Sequence, residues 1–255
     1  MNKDEILKKI TEKKEFSQLP KKEVERAFKK FEKRQCGDEE KIKLTRDLLR
    51  KVFSAFASQK ILSLKNKNEE WILRKHLSTR ERLDHYPELY KRIFRGFLDK
   101  KKIVFDLGAG INGFSYKFMP ENTKYIGIEA IGQLVDLMNF YFKKEKLNAG
   151  AVHESLFELE KIKKLIQGTT GRKVVFLFKI IDSLEMLERD YSKKLLREIV
   201  PWVDKVVLSF ATRSMIKREE FKANRSWIKK FIQGNFKILD EFEFGTEKYL
   251  VFKNK

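Results

Sequence analysis

The chain has 255 residues, 42% of them hydrophobic, which is enough for one large domain with a smaller attachment. A single cysteine, Cys36, excludes an internal disulfide and a multi-cysteine zinc cluster, and three irregularly spaced histidines do not indicate a metal site. Lysine and arginine total 57 against 37 acidic residues, so the net charge of +20 suggests a polyanionic partner such as nucleic acid, although a compositional bias of the genome would give the same charge.

Residues 1–75 predict a small basic helical domain. They carry 22 basic and 13 acidic side chains, the densest basic stretch of the chain. Pro20 suits the first turn of a second helix, and Asp38 can cap a third. The apolar residues recur at steps of three and four, which is typical of helices packed in a bundle with lysine and arginine outside: Ile6, Ile10, Val24, Phe28, Phe31, Leu44, Leu48, Val52, Phe53 and Phe56.

The N-terminal sequence MNKDEILKKITEKKEF is charged and helical, unlike an apolar signal sequence. No run in the chain approaches the roughly 20 apolar residues of a membrane span. We therefore expect a cytoplasmic protein with no membrane partner.

After a connecting helical stretch, the pattern changes at Lys102 to short apolar runs that alternate with amphipathic ones. We predict strands at 103–107, 124–128, 174–178 and 205–210, with helices between them, which is the rhythm of a parallel sheet covered on both faces. The chain then ends in FKILDEFEF, a Gly-Thr-Glu turn and KYLVFKNK, which predicts an antiparallel hairpin. The predicted fold is α/β, with a mostly parallel sheet closed by that hairpin.

A glycine-rich segment follows the first predicted strand, which ends at Asp106. Gly108, Gly110 and Gly113 spell the pattern G-x-G-x-x-G. Glycines at such a turn allow the backbone to approach a ligand closely, although a tight turn without a ligand has the same letters.

Glu129 stands at the end of the next strand, about 20 residues after these glycines. A carboxylate there can accept hydrogen bonds from two ribose hydroxyls, whereas an isolated acid at a strand end is often only solvated. The position of Glu129 relative to Asp106 favours a cofactor that contains adenosine. The glycine letters do not distinguish a nicotinamide dinucleotide from S-adenosyl-L-methionine, but the terminal hairpin is typical of Rossmann-like methyltransferases.

Four segments, in the same order over about 170 residues, resemble segments of the aminoglycoside-resistance 16S rRNA methyltransferases. The chain is therefore similar to a distant member of that family. Those enzymes methylate N7 of the guanine at position 1405 in the decoding region. The segments are HLSTRERL at 76–83 with PELY soon after, FK at 178–179 with LE at 184–185, LSFATRS at 208–214, and FGTE at 244–247.

The resemblance implies a Rossmann-like class I methyltransferase domain over residues 76–255, an RNA-docking helical domain over 1–75, and S-adenosyl-L-methionine as cofactor. With the glycine segment, it implies cofactor contacts from His76, Leu77, Ser78, Arg82, Asp106, Gly108, Gly110, Glu129, Ser155, Leu156 and Leu177. The loops after the later strands would bind RNA through Lys179, Thr212, Arg213 and Ser214, although Lys179 is equally typical of a helix start.

The chain departs from the family pattern at four positions. Ser155 stands where the family has aspartate, and this change affects the expected contact with adenine. Gly113, Ser183 and Ala211 each stand where the family has proline.

We therefore expect a monomeric enzyme that methylates the guanine of position 1405 in the small ribosomal subunit or its rRNA. Guanine N7 has a free lone pair, so alignment is required and a general base is not. Two alternatives stay open: methylation of another structured RNA or another rRNA atom, and a non-catalytic RNA-binding protein with a methyltransferase fold. Methylation of a small molecule fits poorly with the basic helical domain.

Overall fold

A seven-stranded sheet forms the centre of the protein. The computed structural model describes residues 1–53, 67–97, 101–212 and 225–255. The strands run in the spatial order β3-β2-β1-β4-β5-β7-β6, with β1 to β5 parallel and β7 antiparallel to both of its neighbours. They are β1 Lys102–Leu107, β2 Thr123–Glu129, β3 Ala149–His153, β4 Arg172–Phe178, β5 Lys205–Ala211, β6 Lys237–Phe244 and β7 Glu247–Lys253.

The four predicted parallel strands and the terminal hairpin are confirmed, with bounds that differ by no more than two residues. All six residues of β1 are buried because helices cover both faces of the sheet. Strand β3 was not predicted from the sequence. Its sequence AGAVH has no apolar run, since it lies at the sheet edge with every residue half-buried or exposed.

Eleven α-helices lie in the described residues, along with three short 3-10 helices. None of these helices combines the length and the apolar character needed to cross a bilayer. The α-helices are α1 Lys3–Thr11, α2 Lys21–Lys29, α3 Asp38–Phe53, α4 Glu69–Lys75, α5 Leu77–Arg82, α6 Tyr86–Ile93, α7 Gly132–Lys144, α8 Leu159–Gln167, α9 Ile181–Leu187, α10 Tyr191–Ile199 and α11 Ser226–Asn235.

The first three helices form the predicted bundle, with differences in detail. Pro20 occupies the position just before α2, and Asp38 is itself the first residue of α3. The predicted apolar stripe of α3 is confirmed at Val52, which is buried, and at Leu48 and Phe53, which are half-buried and pack against the core. Leu44 is half-buried, and the other buried residues of the helix are Ile42, Thr45 and Leu49. Phe56 lies outside the described residues.

Helix α2 packs against the edge of the sheet where the parallel strands end. Nζ of Lys22 lies 2.7 Å from a carboxylate oxygen of Glu158, and Nε of Arg26 lies 2.6 Å from Oε2 of Glu188. The Arg26 guanidinium also covers the Phe157 ring at 4.2 Å. The predicted domain boundary at residue 75 falls between α4 and α5. Apolar residues before and after this boundary pack in one continuous core.

Candidate functional site

The glycine segment forms a tight turn directly after β1. Gly108 and Gly110 have φ angles of +75° and +54°, in the left-handed region that side chains disfavour. The backbone N–H groups of Gly108 and Ala109 both donate to the carbonyl of Ile128, which ties the turn to β2. A Cβ atom on Gly108 would lie 2.7 Å from Cδ1 of Ile180, so glycine is needed for space as well as for conformation.

Gly113 contributes to packing inside the fold. A Cβ atom there would lie 2.6 Å from Cζ of Phe142 and 3.0 Å from Sδ of Met138, both on α7. The third glycine of the pattern therefore allows the turn to pack closely against this helix.

Glu129 closes the turn from the end of β2. Its Oε2 accepts a hydrogen bond from the Gly110 N–H at 2.8 Å, and its Oε1 accepts one from the Ile131 N–H at 2.9 Å. Burial raises the pKa of Glu129, and these N–H donors oppose that rise by favouring the carboxylate. Each oxygen keeps a second lone pair for a ligand.

A largely apolar cavity opens beside this turn. Three predicted cofactor residues meet there: Gly108, Glu129 and Leu156. The sequence analysis did not identify the rest of the wall, which comes from α2, α3, α9 and neighbouring loops. These residues are Glu23, Val52, Phe53, Ala130, Phe157, Ile180, Ser183, Leu184 and Leu187.

The lining fits a cofactor that contains adenosine. The apolar walls suit a purine ring, and the left-handed glycine leaves space for a ligand against the backbone. Among the described residues, Oε2 of Glu23 is buried with no hydrogen-bond partner, so this wall also holds an acceptor without a donor.

Ser155 is fully buried at the turn that follows β3. Its hydroxyl oxygen accepts a hydrogen bond from the Phe157 N–H at 3.0 Å, while the preceding Glu154 N–H donates to the carbonyl of Glu129. Ser155 therefore holds the turn that presents Leu156 and Phe157 to the cavity.

Asp106 supports the glycine turn from behind and is absent from the cavity wall. Its Oδ2 accepts from Nδ2 of Asn112 at 2.7 Å and from the Tyr125 hydroxyl at 2.9 Å. Burial raises the pKa of Asp106 to about 6, and the two hydrogen bonds limit the rise. Oδ1 of Asn112 accepts from the Tyr86 hydroxyl at 2.7 Å and from Arg82 at 3.3 Å.

Arg82 lies in a buried ion-pair network. Its Nε donates to Oε2 of Glu247 at 2.8 Å, and its guanidinium lies 4.7 Å from the centre of the Phe178 ring. Glu247 also accepts from the Ser209 hydroxyl and lies 3.2 Å from Nζ of Lys179. The two cations hold the pKa of Glu247 below its usual value although burial acts in the opposite direction.

Three other predicted cofactor residues are also internal. Nδ1 of His76 and the hydroxyl of Ser78 are 2.9 Å apart and buried, and Leu177 is fully buried within β4. None of these three lines the cavity, so their cofactor contacts stay predictions. Leu77 is the first residue of α5, and its side chain lies outside the part that the structure describes.

Of the four predicted RNA-binding residues, two are described. Nζ of Lys179 lies 2.6 Å from a carboxylate oxygen of Glu81, in addition to its contact with Glu247, and the side chain is almost wholly buried. The Thr212 N–H donates to the carbonyl of Thr246, and Thr212 lines a second cavity. Arg213 and Ser214 lie outside the described residues.

The sequence matches a known family over most of its length. A family model described as "Ribosomal RNA methyltransferase (FmrO)" matches residues 44–226. A 16S rRNA (guanine(1405)-N(7))-methyltransferase of Proteus mirabilis is 24% identical over 188 residues. That alignment covers 71% of this chain and 63% of the relative, so the chain matches less than two thirds of the relative's length.

Solved structures share the fold over the whole chain. The 16S rRNA methylase RmtB is 20% identical, with a TM-score of 0.81, and the match covers 100% of this chain and 99% of RmtB. An rRNA methylase from Escherichia coli is 20% identical, with a TM-score of 0.80 and full coverage of both chains. The 16S rRNA methyltransferase RmtF, in complex with S-adenosyl-L-homocysteine, is 19% identical, with a TM-score of 0.81 and full coverage of both chains.

Proposed function

Because this chain belongs to the ribosomal RNA methyltransferase (FmrO) family, we propose that it methylates N7 of the guanine at position 1405 in 16S rRNA, with S-adenosyl-L-methionine as methyl donor. The observation that carries this proposal is the cavity in which Gly108, Glu129 and Leu156 meet beside the glycine turn. The Proteus mirabilis relative has this activity by name, and the related RmtF binds the demethylated cofactor.

Each part of the site has a proposed role in holding the cofactor. Gly108 and Gly110 permit close approach of the backbone, and Glu129 accepts hydrogen bonds from the ribose hydroxyls. Leu156 packs against the adenine ring, and Ser155 holds the turn that carries it. The buried network around Asp106 and Arg82 keeps the turn and α5 in place behind the cavity.

The reaction needs alignment more than proton transfer. When bound, S-adenosyl-L-methionine supplies a methyl group on a positively charged sulfur. Guanine N7 has a free lone pair, so no side chain has to remove a proton from it. The protein has to hold the base in line with the methyl group, and a stacked guanine has first to be turned out of its helix.

RNA binding is assigned to the helical domain and to the segment after β5. The exposed Lys29, which ends α2, and Lys30, which follows it, lie beside a groove, where they suit phosphate contacts. Thr212, with Arg213 and Ser214 that follow it, is proposed to contact the target nucleotide. The internal Lys179 supports this end of the sheet through its ion pairs. We further propose that the protein acts as a monomer in the cytoplasm, where small subunits occur.

The test is direct mapping of the product. N7 methylation gives guanine a fixed positive charge, which makes the site labile to reduction and then to strand scission by aniline. Small subunits incubated with the protein and S-adenosyl-L-methionine should show one new cleavage at the guanine of position 1405. A reaction without the cofactor provides the control. A methyl group on adenine N1 or on a pyrimidine carbon would overturn the assignment of the target atom.

A further inference from the structure

Glu23 extends from the N-terminal helical domain into the wall of the cofactor cavity. It lies on α2, and its side chain is nearly inaccessible, with a relative exposure of 2%. Around it the cavity is mostly apolar, with Val52 and Phe53 from α3 and Leu156 and Phe157 from the turn after β3. An acid in this position requires an explanation, because glutamate is almost never fully buried unless it is paired.

Within the described residues, Oε2 of Glu23 has no hydrogen-bond partner. Arg26 on the same helix is directed to other groups, since it pairs with Glu188 at 2.6 Å and covers the Phe157 ring. Burial raises the pKa of Glu23 to about 7, a rise that the Ser155 hydroxyl and Arg26 oppose. A buried acceptor without a donor is unfavourable, so a ligand that brings a donor would be bound by it.

The position of Glu23 indicates which part of a nucleoside it would meet. Glu129 ends β2, and Ser155 follows the adjacent strand β3, so the two mark neighbouring places along the sheet edge. Glu23 lies close to the Ser155 hydroxyl, which favours its ionised form. If Glu129 binds the ribose, the Ser155 side is where the base lies. The donor that adenine offers away from the ribose is its exocyclic 6-amino group.

We propose that Glu23 accepts a hydrogen bond from the 6-amino group of the cofactor's adenine and selects 6-aminopurine over 6-oxopurine nucleosides. This inference rests on the proposed function, because it requires an adenosine cofactor in this cavity. The Ser155 hydroxyl oxygen accepts from the Phe157 N–H. Glu23, from a different part of the chain, supplies the carboxylate on the base side of the site.

The test compares two ligands that differ only at the base. Calorimetry measures the affinity of the full chain for S-adenosylhomocysteine and for S-inosylhomocysteine, which carries a 6-oxo group. We expect the unaltered protein to prefer the adenosyl ligand by about 10-fold or more, because the 6-oxo group would place an acceptor against the carboxylate. The variant Glu23→Gln offers both a donor and an acceptor, so it should lose most of this preference.

A matched control is Glu25→Gln, which changes an acid on the solvent side of the same helix and should keep the preference. Equal weakening of both ligands by Glu23→Gln, with an unchanged ratio, would overturn the proposal and leave a packing role for Glu23. If the unaltered protein bound neither ligand, the proposed function would fail together with this inference. The two failures are therefore distinguishable.

Discussion

Nε of Arg82 and Oε2 of Glu247 lie 2.8 Å apart in the protein interior, although 165 positions separate the two residues in the chain. Their side chains are 4% and 1% exposed. The pair joins α5 to the first residue of β7, and Lys179 adds a second cation from the end of β4. It therefore fixes the HLSTRER segment at the end of the sheet where the cavity beside the glycine turn opens.

Arg82→Ala should destabilise the fold by roughly 3 to 5 kcal/mol, because it leaves the buried Glu247 carboxylate with one fewer cation. Urea denaturation measures the change. The control is Arg74→Ala, which breaks an ion pair with Glu70 in which the two side chains are 57% and 47% exposed, and which should change stability far less. Similar losses in the two variants would contradict the assigned importance of burial.

Glu129→Ala should weaken binding of S-adenosylhomocysteine by about 1 to 3 kcal/mol, because the ribose hydroxyls and the Gly110 N–H lose their acceptor. Calorimetry measures the affinity, and circular dichroism checks that the variant is folded. Glu121→Ala, in an exposed loop before β2, is the control and should bind as the unaltered protein does. Unchanged affinity in Glu129→Ala would remove Glu129 from the cofactor site.

The stability of the ligand-free protein should fall as pH rises from 5 to 8, in part through Glu23. Burial raises the pKa of this carboxyl to about 7 from its ordinary 4.5, so the folded state holds the proton more tightly than the unfolded state. Its contribution is complete below pH 4.5 and is lost as pH rises through about 7. Arg26, Glu129 and Tyr191 are the charged or titratable groups that interact with it.

Glu23→Gln removes this titration. The variant should match the unaltered protein near pH 5 and exceed its stability at pH 8 by roughly 2 to 3 kcal/mol. Urea denaturation at the two pH values tests this. The pKa of Asp106, raised to about 6, has the same direction of effect in both proteins and cancels from the difference. A constant difference between the proteins at both pH values would show that Glu23 does not titrate in this range.

Replacing Lys29 and Lys30 by alanine should weaken binding to small ribosomal subunits and reduce its salt dependence. The slope of the logarithm of the binding constant against the logarithm of the salt concentration should fall in magnitude by about one for each phosphate that the protein no longer binds. Affinity for S-adenosylhomocysteine should not change. The control replaces the exposed Lys237 and Lys253, which pair across β6 and β7. Because β7 runs antiparallel to β5, Lys237 and Lys253 lie beside the amino ends of the parallel strands, at the opposite end of the sheet from the cavity. Equal weakening in both double variants would indicate a non-specific effect of charge.

Local sequence patterns were sufficient for most of the fold. The apolar runs of β1, β2, β4 and β5, the hairpin turn at Gly245 and the glycines after β1 are determined by residues close together in the chain. Periodicity and turn chemistry therefore identified them, together with Glu129 at its strand end. The edge strand β3 has no such pattern, since its side chains pack on little of the core.

The site depended more on tertiary structure. Glu23 lies in a strongly charged helix, where an acid usually faces solvent. It is four residues before the buried Ala27, and this spacing puts it on the apolar face of the helix. Arg82 was expected at the cofactor and Lys179 at RNA, and Glu247 was noted only as part of the FGTE segment. Their mutual ion pairs are visible only in the folded structure. The sequence by itself determined every strand except β3, the glycine turn and the family, because these depend on neighbouring residues. Only the tertiary structure decided which buried charges neutralise one another and which carboxylate faces the cavity, because those contacts join residues that are far apart in the chain.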